Sequence, residues 1–422
     1  MTNPSLNPAT TCVFTTSGVG TGLLKKWVLR QMNQLRHGQL TIIENGERLR
    51  FGDPAGALQA EVEVTHPAFW SMLAGNGSIG AGEAYTLGYW NSPDLTTVVR
   101  LFVANMDLLD SLEGGLASLR RPLLKALHWL NRNTREGSRR NISAHYDLGN
   151  ELFEHLLDPS MMYSSAIFSS PDASLEQGQM YKLERICRKL ELKADDHLLE
   201  IGTGWGGMAI YAATHYGCRV TTTTLSQEQF AYTRQKIQEQ GLEDRITLLL
   251  EDYRDLTGCY DKLVSIEMIE AVGPRFLSRY FTQCANLLKP DGLMLLQAIT
   301  IRDQRYQQAN RSVDFIQRYI FPGGALPSVG RMLEVIGQST DMNLHHMEDF
   351  GLHYARTLRL WYDNLRRNRH VLETHGYDET FFRLWEFYLC YCEGGFLERS
   401  IGTAQLLLAK PAARPQPFDV SA

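Results

Sequence analysis

The feature that most constrains the fold is an alternation of short apolar runs and helical stretches that begins at Ala194. The apolar runs are HLLEI, CRVTTTT, ITLLL, KLVSIEM, GLMLLQAIT and, much later, AQLLLAK. Runs of this length, separated by helical stretches, are typical of strands in a sheet that carries helices on both faces. The sequence therefore predicts an α/β fold with a doubly wound sheet.

The length of 422 residues indicates more than one domain. The stretch from Leu23 to Asp110 combines a basic amphipathic segment, an alternating segment and a Gly-rich turn, which together predict a small α+β domain. We predict an accessory domain over residues 1–118, a basic helical linker over 119–142, a larger domain over 143–411 and a flexible tail over 412–422.

Composition narrows the class of protein. The formal net charge of −5 argues against a general nucleic-acid binder, because such proteins usually carry a domain-wide basic excess. No apolar run has the roughly 20 residues that a membrane span needs, and the first thirty residues lack a signal-peptide core. The seven cysteines are scattered and form no C-x-x-C pair, so neither a disulfide framework nor a metal site is expected. These observations predict a cytoplasmic protein.

One segment has a charge of its own. The stretch from Leu119 to Arg140 contains seven basic residues and only one acidic residue, Glu136, with apolar residues interleaved among them. This composition fits a helix on an anionic membrane surface, and it fits a solvated basic linker equally well.

A glycine-rich turn follows the run HLLEI. Its residues are Gly202-Thr203-Gly204-Trp205-Gly206-Gly207, and a helical pattern comes next. Glycines at a strand-to-helix turn let a ligand approach the backbone and the free N–H groups of the helix. A dinucleotide site usually has an Asp or Glu about 20 residues further on, which binds the ribose hydroxyls. The residues from Thr221 to Ser226 include no acid, so a conventional NAD site is disfavoured.

Several longer motifs resemble one family. They are AHYDLGNELFEHLLDPSMMYSSAIF, LLEIGTGWGG, TLSQEQ, EDYRDL, EMIEAVGP, YIFPGGALPS and LRLWYDNL. In this order they resemble the cyclopropane-fatty-acyl-phospholipid synthase family of S-adenosylmethionine-dependent methyltransferases. The resemblance covers the chain from Ser143 to Lys410, and LGYW (Leu87 to Trp90) extends it more loosely to the N-terminal domain. It implies a seven-stranded methyltransferase sheet and a catalytic role for the larger domain. The mostly helical, aromatic-rich stretch from Gln304 to Glu398 is interpreted as an insertion near the sheet's carboxyl edge that lines an acyl tunnel, with packing of a helical core as the alternative.

The resemblance also implies the cofactor site. Gly202, Gly204 and Gly206 would cradle the methionine part of S-adenosylmethionine, and Tyr163 and Ser164 would close over it. Thr224 and Gln229 would reach the ribose, and Tyr253 would lie near the adenine. An aromatic ring can stack on a purine, and a hydroxyl-rich strand end can replace the missing acid.

The catalytic residues follow from the same comparison. Glu270 matches a glutamate that holds a bicarbonate ion, the proton acceptor of the family, and Tyr362 matches a tyrosine that helps to bind it. Glu267, three residues before Glu270, is interpreted as a cofactor or structural contact. Cys392 matches a cysteine sometimes proposed as catalytic, although packing is the simpler interpretation because the reaction needs no thiol.

Three positions depart from the pattern of many bacterial members. Ser165 replaces a cysteine, and Ala271 and Gln297 replace histidines. Ser165 and Gln297 can still hydrogen-bond an anion, so we expect an altered bicarbonate site.

The sequence thus predicts transfer of a one-carbon unit from S-adenosylmethionine to the cis double bond of an unsaturated phospholipid acyl chain, forming a cyclopropane. A methylene or methyl branch, a soluble N-methyltransferase and a lipid-binding protein without chemistry remain alternatives. We expect peripheral association with the inner face of the membrane, no nucleic acid as partner, and a possible homodimer.

Overall fold

The chain forms two compact units, each built from more than one stretch of sequence. The structure is a computed structural model and describes residues 18–114, 137 and 149–418. The first unit takes its described residues from 1–130, 312–322 and 358–400; the second takes them from 131–311, 323–357 and 401–422. Apart from Gly137, the basic stretch Leu119 to Arg140 lies outside the described residues.

The first unit contains a four-stranded sheet in the order β2-β1-β3-β4. The strands are β1 (Gln39–Glu44), β2 (Glu47–Gly52), β3 (Gln59–Val64) and β4 (Trp90–Asn91). β1 and β2 form an antiparallel hairpin, and both residues of its Asn45-Gly46 turn have positive φ, the backbone that a two-residue hairpin turn requires. β1 pairs in parallel with β3. The small α+β domain predicted from the sequence is therefore present.

Helices surround this sheet. They are α1 (Gly18–Met32), α2 (Ala68–Thr86), α3 (Leu95–Ala104) and α4 (Met106–Gly114). The second unit contributes its own series of α5 (Asn150–Leu156), α6 (Leu175–Lys189), α7 (Gly207–Tyr216), α8 (Gln227–Glu239), α9 (Leu277–Leu287), α10 (Asp303–Ala309) and α12 (Val329–Ser339). The remaining helices are α11 (Phe315–Tyr319), α13 (Gly351–Arg367), α14 (Arg369–Thr374) and α15 (Glu379–Leu397).

The division differs from the continuous catalytic domain predicted over 143–411. Residues 312–322 and 358–400 belong to the first unit, because polar contacts hold them there. Arg383 on α15 donates to the backbone oxygens of Tyr85 and Trp90, at 2.5 and 2.8 Å. Glu393, also on α15, accepts from Thr96 at 2.7 Å. Local sequence periodicity carries no signal for such long-range pairing.

The aromatic insertion contributes to the core of the first unit. Phe315 and Phe387 pack ring against ring at 4.7 Å, and Gly82 on α2 leaves space for both. Phe387 and Tyr391 also line an apolar cavity of about 110 Å³ in this unit. The acyl tunnel expected from this insertion stays a prediction.

The second unit contains a seven-stranded sheet in the order β10-β11-β9-β8-β5-β6-β7. Its strands are β5 (His197–Ile201), β6 (Arg219–Thr223), β7 (Ile246–Leu249), β8 (Tyr260–Ile266), β9 (Leu288–Ile301), β10 (Asn343–Asp349) and β11 (Ile401–Ala409). β5 to β9 pair in parallel, whereas β11 is antiparallel to both β9 and β10. The predicted seven-stranded methyltransferase sheet is confirmed.

Both faces of this sheet are buried. Leu198 and Leu199 are neighbours on β5 and lie in different hydrophobic clusters, as do Leu406 and Leu407 on β11. Successive strand residues point to opposite faces, so the two clusters mark helical layers on both sides. Parallel strands place their carboxyl ends at one edge, where open α/β sheets bind ligands.

Among the described residues, no helix combines the length and apolar character needed to cross a bilayer.

Candidate active site

A cavity of about 150 Å³ opens at the carboxyl ends of β5, β6, β7 and β8. Its walls come from residues 161–164, 200–205, 223–225, 229, 251, 253, 266–268 and 271. The order of the strands brings these distant segments to one edge of the sheet. All the lining residues belong to the second unit.

The glycine-rich turn forms one wall. Gly202 and Gly204 line the cavity, with φ of 99° and 53°. Both values lie in the left-handed region that favours glycine, and the absence of side chains brings the backbone to the cavity surface. Gly206 has the same kind of backbone, with φ of 93°, but does not line the cavity. A Cβ on Gly206 would stand 2.8 Å from the Thr233 methyl carbon, so this glycine allows α7 and α8 to pack.

A loop before α6 forms the opposite wall. Tyr163 and Ser164 line the cavity, and their closing over the cofactor stays a prediction. The ring of Tyr163 packs edge-on against Phe153, with 5.2 Å between centroids. Lys182 on α6 is fully buried and donates from Nζ to the Ser164 hydroxyl at 2.7 Å. Burial lowers the pKa of Lys182 to about 8, although the charges of Glu267 and Asp158 oppose the shift.

Polar side chains lie directly after β6 and in the first turn of α8. Thr224 and Gln229 both line the cavity and are joined to each other, since the Thr224 hydroxyl donates to Gln229 Oε1 at 2.8 Å. Tyr253 lies on the cavity wall after β7, and its ring packs edge-on against Tyr280. All three predicted residues thus line one cavity, and their contacts with ribose and adenine stay a prediction.

Two acids on the wall were not predicted as site residues. Glu200 lies on β5, directly before the last residue of that strand, Ile201. Its carboxylate accepts a hydrogen bond from the Thr222 hydroxyl at 2.6 Å. Burial raises the pKa of Glu200 to about 8. Glu251 follows β7 and also lines the cavity. Glu200 could have been found from its place directly before the glycine turn.

Glu267 follows β8 and has the most ordered carboxylate of the site. Its Oε1 accepts from the Ser165 backbone N–H at 3.0 Å and from Gln297 Nε2 at 2.8 Å. Its Oε2 accepts from the Tyr354 hydroxyl at 2.8 Å. Burial raises the pKa of Glu267, while these donors and the positive charge of Lys182 lower it. Glu267 also lines the cavity.

Glu270 lies in a short 3₁₀ turn, Ile269–Ala271, behind the cavity wall. Its Oε1 accepts from the backbone N–H of Ile299 at 2.6 Å. Its Oε2 is buried and has no hydrogen-bond partner among the described residues. Burial and the nearby charge of Glu267 raise the pKa of Glu270 to about 8. This raised pKa favours the protonated form of Glu270 near neutral pH.

Ser165 and Gln297, predicted to hold a bicarbonate ion, both bind Glu267. The Ser165 hydroxyl donates to the backbone oxygen of Ala166 at 3.0 Å, so neither polar group of Ser165 is left for an ion. An anion beside the Glu267 carboxylate would also be repelled. The arrangement of these donors does not fit the predicted bicarbonate.

A hydrogen-bond chain fixes the orientation of Gln297. Residues Gln297 on β9 and Gln405 on β11 lie directly opposite each other. Lys189 Nζ donates to Gln405 Oε1 at 2.6 Å, and Gln405 Nε2 donates to Gln297 Oε1 at 2.9 Å. Because an ammonium group only donates, each amide must turn its Nε2 toward the next residue. The Gln297 amide therefore presents its N–H to Glu267.

Tyr362 and Cys392 belong to the first unit. Tyr362 lies on α13 and accepts from Arg366 at 3.0 Å. Cys392 lies on α15, where burial raises the pKa of its thiol, so it stays protonated. Protonated thiols are poor nucleophiles, which favours the packing interpretation of Cys392.

Sequence reasoning missed Tyr354, Lys182 and Gln405. Lys182 and Gln405 lie within helical or apolar runs, where a buried polar residue stands out from its neighbours. Tyr354 had no local signal, because α13 contains several aromatic residues.

Comparison with known proteins agrees with this geometry. The family model of the mycolic acid cyclopropane synthetases matches residues 133–406. The cyclopropane-fatty-acyl-phospholipid synthase of Escherichia coli (strain K12) is 35% identical over 365 residues, 84% of this chain and 89% of that protein. The tuberculostearic acid methyltransferase UfaA1 of Mycobacterium tuberculosis is 39% identical over 339 residues, 76% of each chain.

Solved structures agree as well. The cyclopropane synthase MmaA2 from Mycobacterium tuberculosis superposes with a TM-score of 0.61 at 30% identity, covering 64% of this chain and 98% of that one. Cyclopropane synthase CmaA1, complexed with SAH and CTAB, gives a TM-score of 0.60 at 29% identity over 64% of this chain and 98% of that one. The chain therefore belongs to the mycolic acid cyclopropane synthetase family and is an S-adenosylmethionine-dependent methyltransferase that acts in lipid acyl modification.

Proposed function

We propose that this enzyme transfers a one-carbon unit from S-adenosylmethionine to the cis double bond of an unsaturated acyl chain in a membrane phospholipid. The observation that carries the proposal is the half-buried carboxylate of Glu267 on the wall of the cofactor cavity, with Glu270 three residues further on, in a chain similar to a phospholipid synthase. An isolated alkene is a weak nucleophile, so the reaction needs close positioning and an anion near the cation that forms.

The lining residues fit S-adenosylmethionine. Gly202 and Gly204 expose backbone to the ligand, and Thr224 with Gln229 offers polar groups to a ribose. The bound cofactor supplies an electrophilic methyl group on its sulfonium. The chain's own groups hold the cofactor, exclude water and provide a fixed carboxylate, Glu267, on the cavity wall.

The product that we propose first is a cyclopropane ring in the acyl chain. A methylene or methyl branch is the second candidate, and one observation favours it: the similarity to a tuberculostearic acid methyltransferase over 76% of each chain. The two outcomes differ in the steps that follow methyl transfer. Loss of a proton from the added methyl closes the ring, and loss from a neighbouring chain carbon leaves a methyl branch beside a double bond in the chain. A methylene branch forms when a hydride first shifts from the methylated carbon to the cationic one and the added methyl then loses the proton.

The experiment is incubation with S-adenosylmethionine labelled at the methyl group and vesicles of mixed unsaturated phospholipids. Label in the acyl chains, with a mass gain of one CH₂, is expected. Cyclopropane proton signals in the NMR spectrum of the product identify the ring, and olefinic methylene signals identify the branch. Label found only in soluble amines would refute the proposal.

Membrane association is part of the proposal. We expect peripheral binding at the cytoplasmic face through the first unit, since α1 exposes Leu23, Lys26 and Arg30. Phospholipid is the expected partner, nucleic acid is not, and a homodimer is a further possibility to be tested by sedimentation. Bicarbonate, which the resemblance implied, is not part of the proposal, because two donors expected to hold it already bind Glu267.

A further inference from the structure

We propose that Glu267 is the catalytic base of this enzyme, a built-in carboxylate that takes the place of an external anion. The inference rests on the proposed function, since it names the group that accepts the proton after methyl transfer. It differs from the prediction made from the sequence, in which Glu270 and a bicarbonate ion carry that role.

The backbone of Glu267 is the first argument. Its φ of 50° lies in the left-handed region, which a residue with a side chain seldom occupies. Its N–H donates to the backbone oxygen of Gln297 at 2.8 Å, so the pairing of β8 with β9 holds the strained conformation. Strain of this kind persists where the surroundings over-determine it, and it clusters at functional sites.

The donors are the second argument. Glu267 accepts hydrogen bonds on both carboxylate oxygens, from Ser165 and Gln297 on one and from Tyr354 on the other. Burial raises the pKa of Glu267, and the three donors and the nearby buried lysine charge oppose that rise by stabilising the carboxylate form. The hydrogen bonds from Lys189 through Gln405 fix the side-chain amide of Gln297. If this amide turned over, its hydrogen bond with Gln405 would be lost.

The contrast with Glu270 is the third argument. Glu270 accepts one backbone N–H on one oxygen, and its second oxygen has no partner among the described residues. Two carboxyl groups whose surroundings push their protonation apart have separate roles in acid and base chemistry. Glu267 is the member of the pair with hydrogen-bond donors on both carboxylate oxygens, and it alone of the two lines the cofactor cavity.

The proton balance is complete without an added ion. The alkene π electrons form a bond to the cofactor's methyl carbon, and the S–CH₃ bond breaks with its electrons left on sulfur. The chain carbon beside the new bond becomes cationic. Glu267 then takes a proton from the added methyl or from an adjacent chain carbon, and the C–H electron pair forms the ring bond or a double bond. The protonated Glu267 returns its proton to solvent after product release.

Two substitutions test this role. Glu267→Gln keeps the shape but removes the base, so turnover should fall by about a hundredfold or more, while affinity for S-adenosylhomocysteine changes little. Glu267→Gly removes the side chain and relieves the backbone strain, which leaves the donors Ser165 and Gln297 open. In this variant added formate or bicarbonate should restore turnover.

A matched control is available. Glu191 also has a left-handed backbone, with φ of 51°, and it lies away from the cavity lining. Glu191→Gly makes the same change in side chain and backbone, and its turnover should neither fall steeply nor respond to formate.

The role of an external anion is measured directly. Wild-type turnover in buffer purged of carbon dioxide should equal turnover with bicarbonate added. Isothermal titration calorimetry should detect bicarbonate binding to Glu267→Gly and none to the wild type. Stimulation of the wild type by bicarbonate, near-normal turnover of Glu267→Gln, or failure of every small anion to rescue Glu267→Gly would each overturn the assignment.

The calorimetric measurement needs no lipid substrate, so it judges Glu267 separately from the proposed function. A wild-type enzyme that labels no unsaturated phospholipid would refute the proposed function, whatever the anion binding shows.

Discussion

Replacing Lys182 with methionine is expected to change the pH dependence of stability in a defined direction. Lys182 is fully buried, and its pKa falls from the ordinary 10.5 to about 8 because burial disfavours the charged form. This difference corresponds to about 3 kcal/mol, present as a cost whenever the folded protein carries the proton. Methionine has a similar volume and carries no charge.

The sign follows from linkage. Between about pH 8 and pH 10.5 the unfolded chain binds this proton more readily than the folded protein, so wild-type stability rises with pH across that window. Below pH 8 both states are protonated and the full cost is present. The stability of Lys182→Met relative to wild type should therefore fall by roughly 2 kcal/mol between pH 7 and pH 10.

Lost hydrogen bonding is a separate effect. Methionine cannot donate to the Ser164 hydroxyl, which costs about 1–3 kcal/mol. That cost does not depend on pH in this range, so the slope with pH isolates the lysine charge.

The assay is urea unfolding of both proteins at several pH values, followed by circular dichroism. Lys236→Met serves as a control, because the Lys236 side chain is only partly buried and its hydrogen bond to Glu239 raises its pKa, the opposite direction. A difference between Lys182→Met and wild type that stays constant from pH 7 to pH 10 would show that Lys182 is not a charged lysine held in a buried site.

Three further outcomes are expected. Gly206→Ala should lower the free energy of unfolding by about 1–3 kcal/mol in thermal denaturation, because a Cβ at this positive φ would also meet α8. Gly204→Ala shares the positive φ but has open space around it, so it should destabilise the fold less and should weaken cofactor binding measured by calorimetry. Glu270→Gln should bind cofactor normally, since Glu270 does not line the cavity, and its pH–turnover curve should lack a limb near pH 8 that the wild type shows; an unchanged limb would assign that limb to another group. Changing Lys26 and Arg30 on α1 to glutamine should weaken sedimentation with anionic vesicles by about 1 kcal/mol per residue at low salt, and equal binding to neutral vesicles would refute this docking role.

The sequence by itself determined the sheet and the cofactor turn, because both depend on local pattern. Apolar runs of strand length between helical stretches specify a doubly wound sheet wherever both faces are buried. The glycines at 202 and 204 reach the cavity since a turn between strand and helix needs their backbone freedom. Gly206 fits the same motif but serves helix packing, a distinction that no spacing rule contains.

The division into units and the chemistry of the two glutamates were decided only by the tertiary structure. Glu267 meets Ser165 across 102 residues of chain and Tyr354 across 87, and Gln297 meets Gln405 across 108. A motif states which side chains are present, whereas the protonation of a carboxyl depends on burial and on the donors that folding brings to it. The sequence therefore pointed to the segment around Glu270, whereas the fold gave Glu267 its hydrogen-bond donors and its place on the cavity wall.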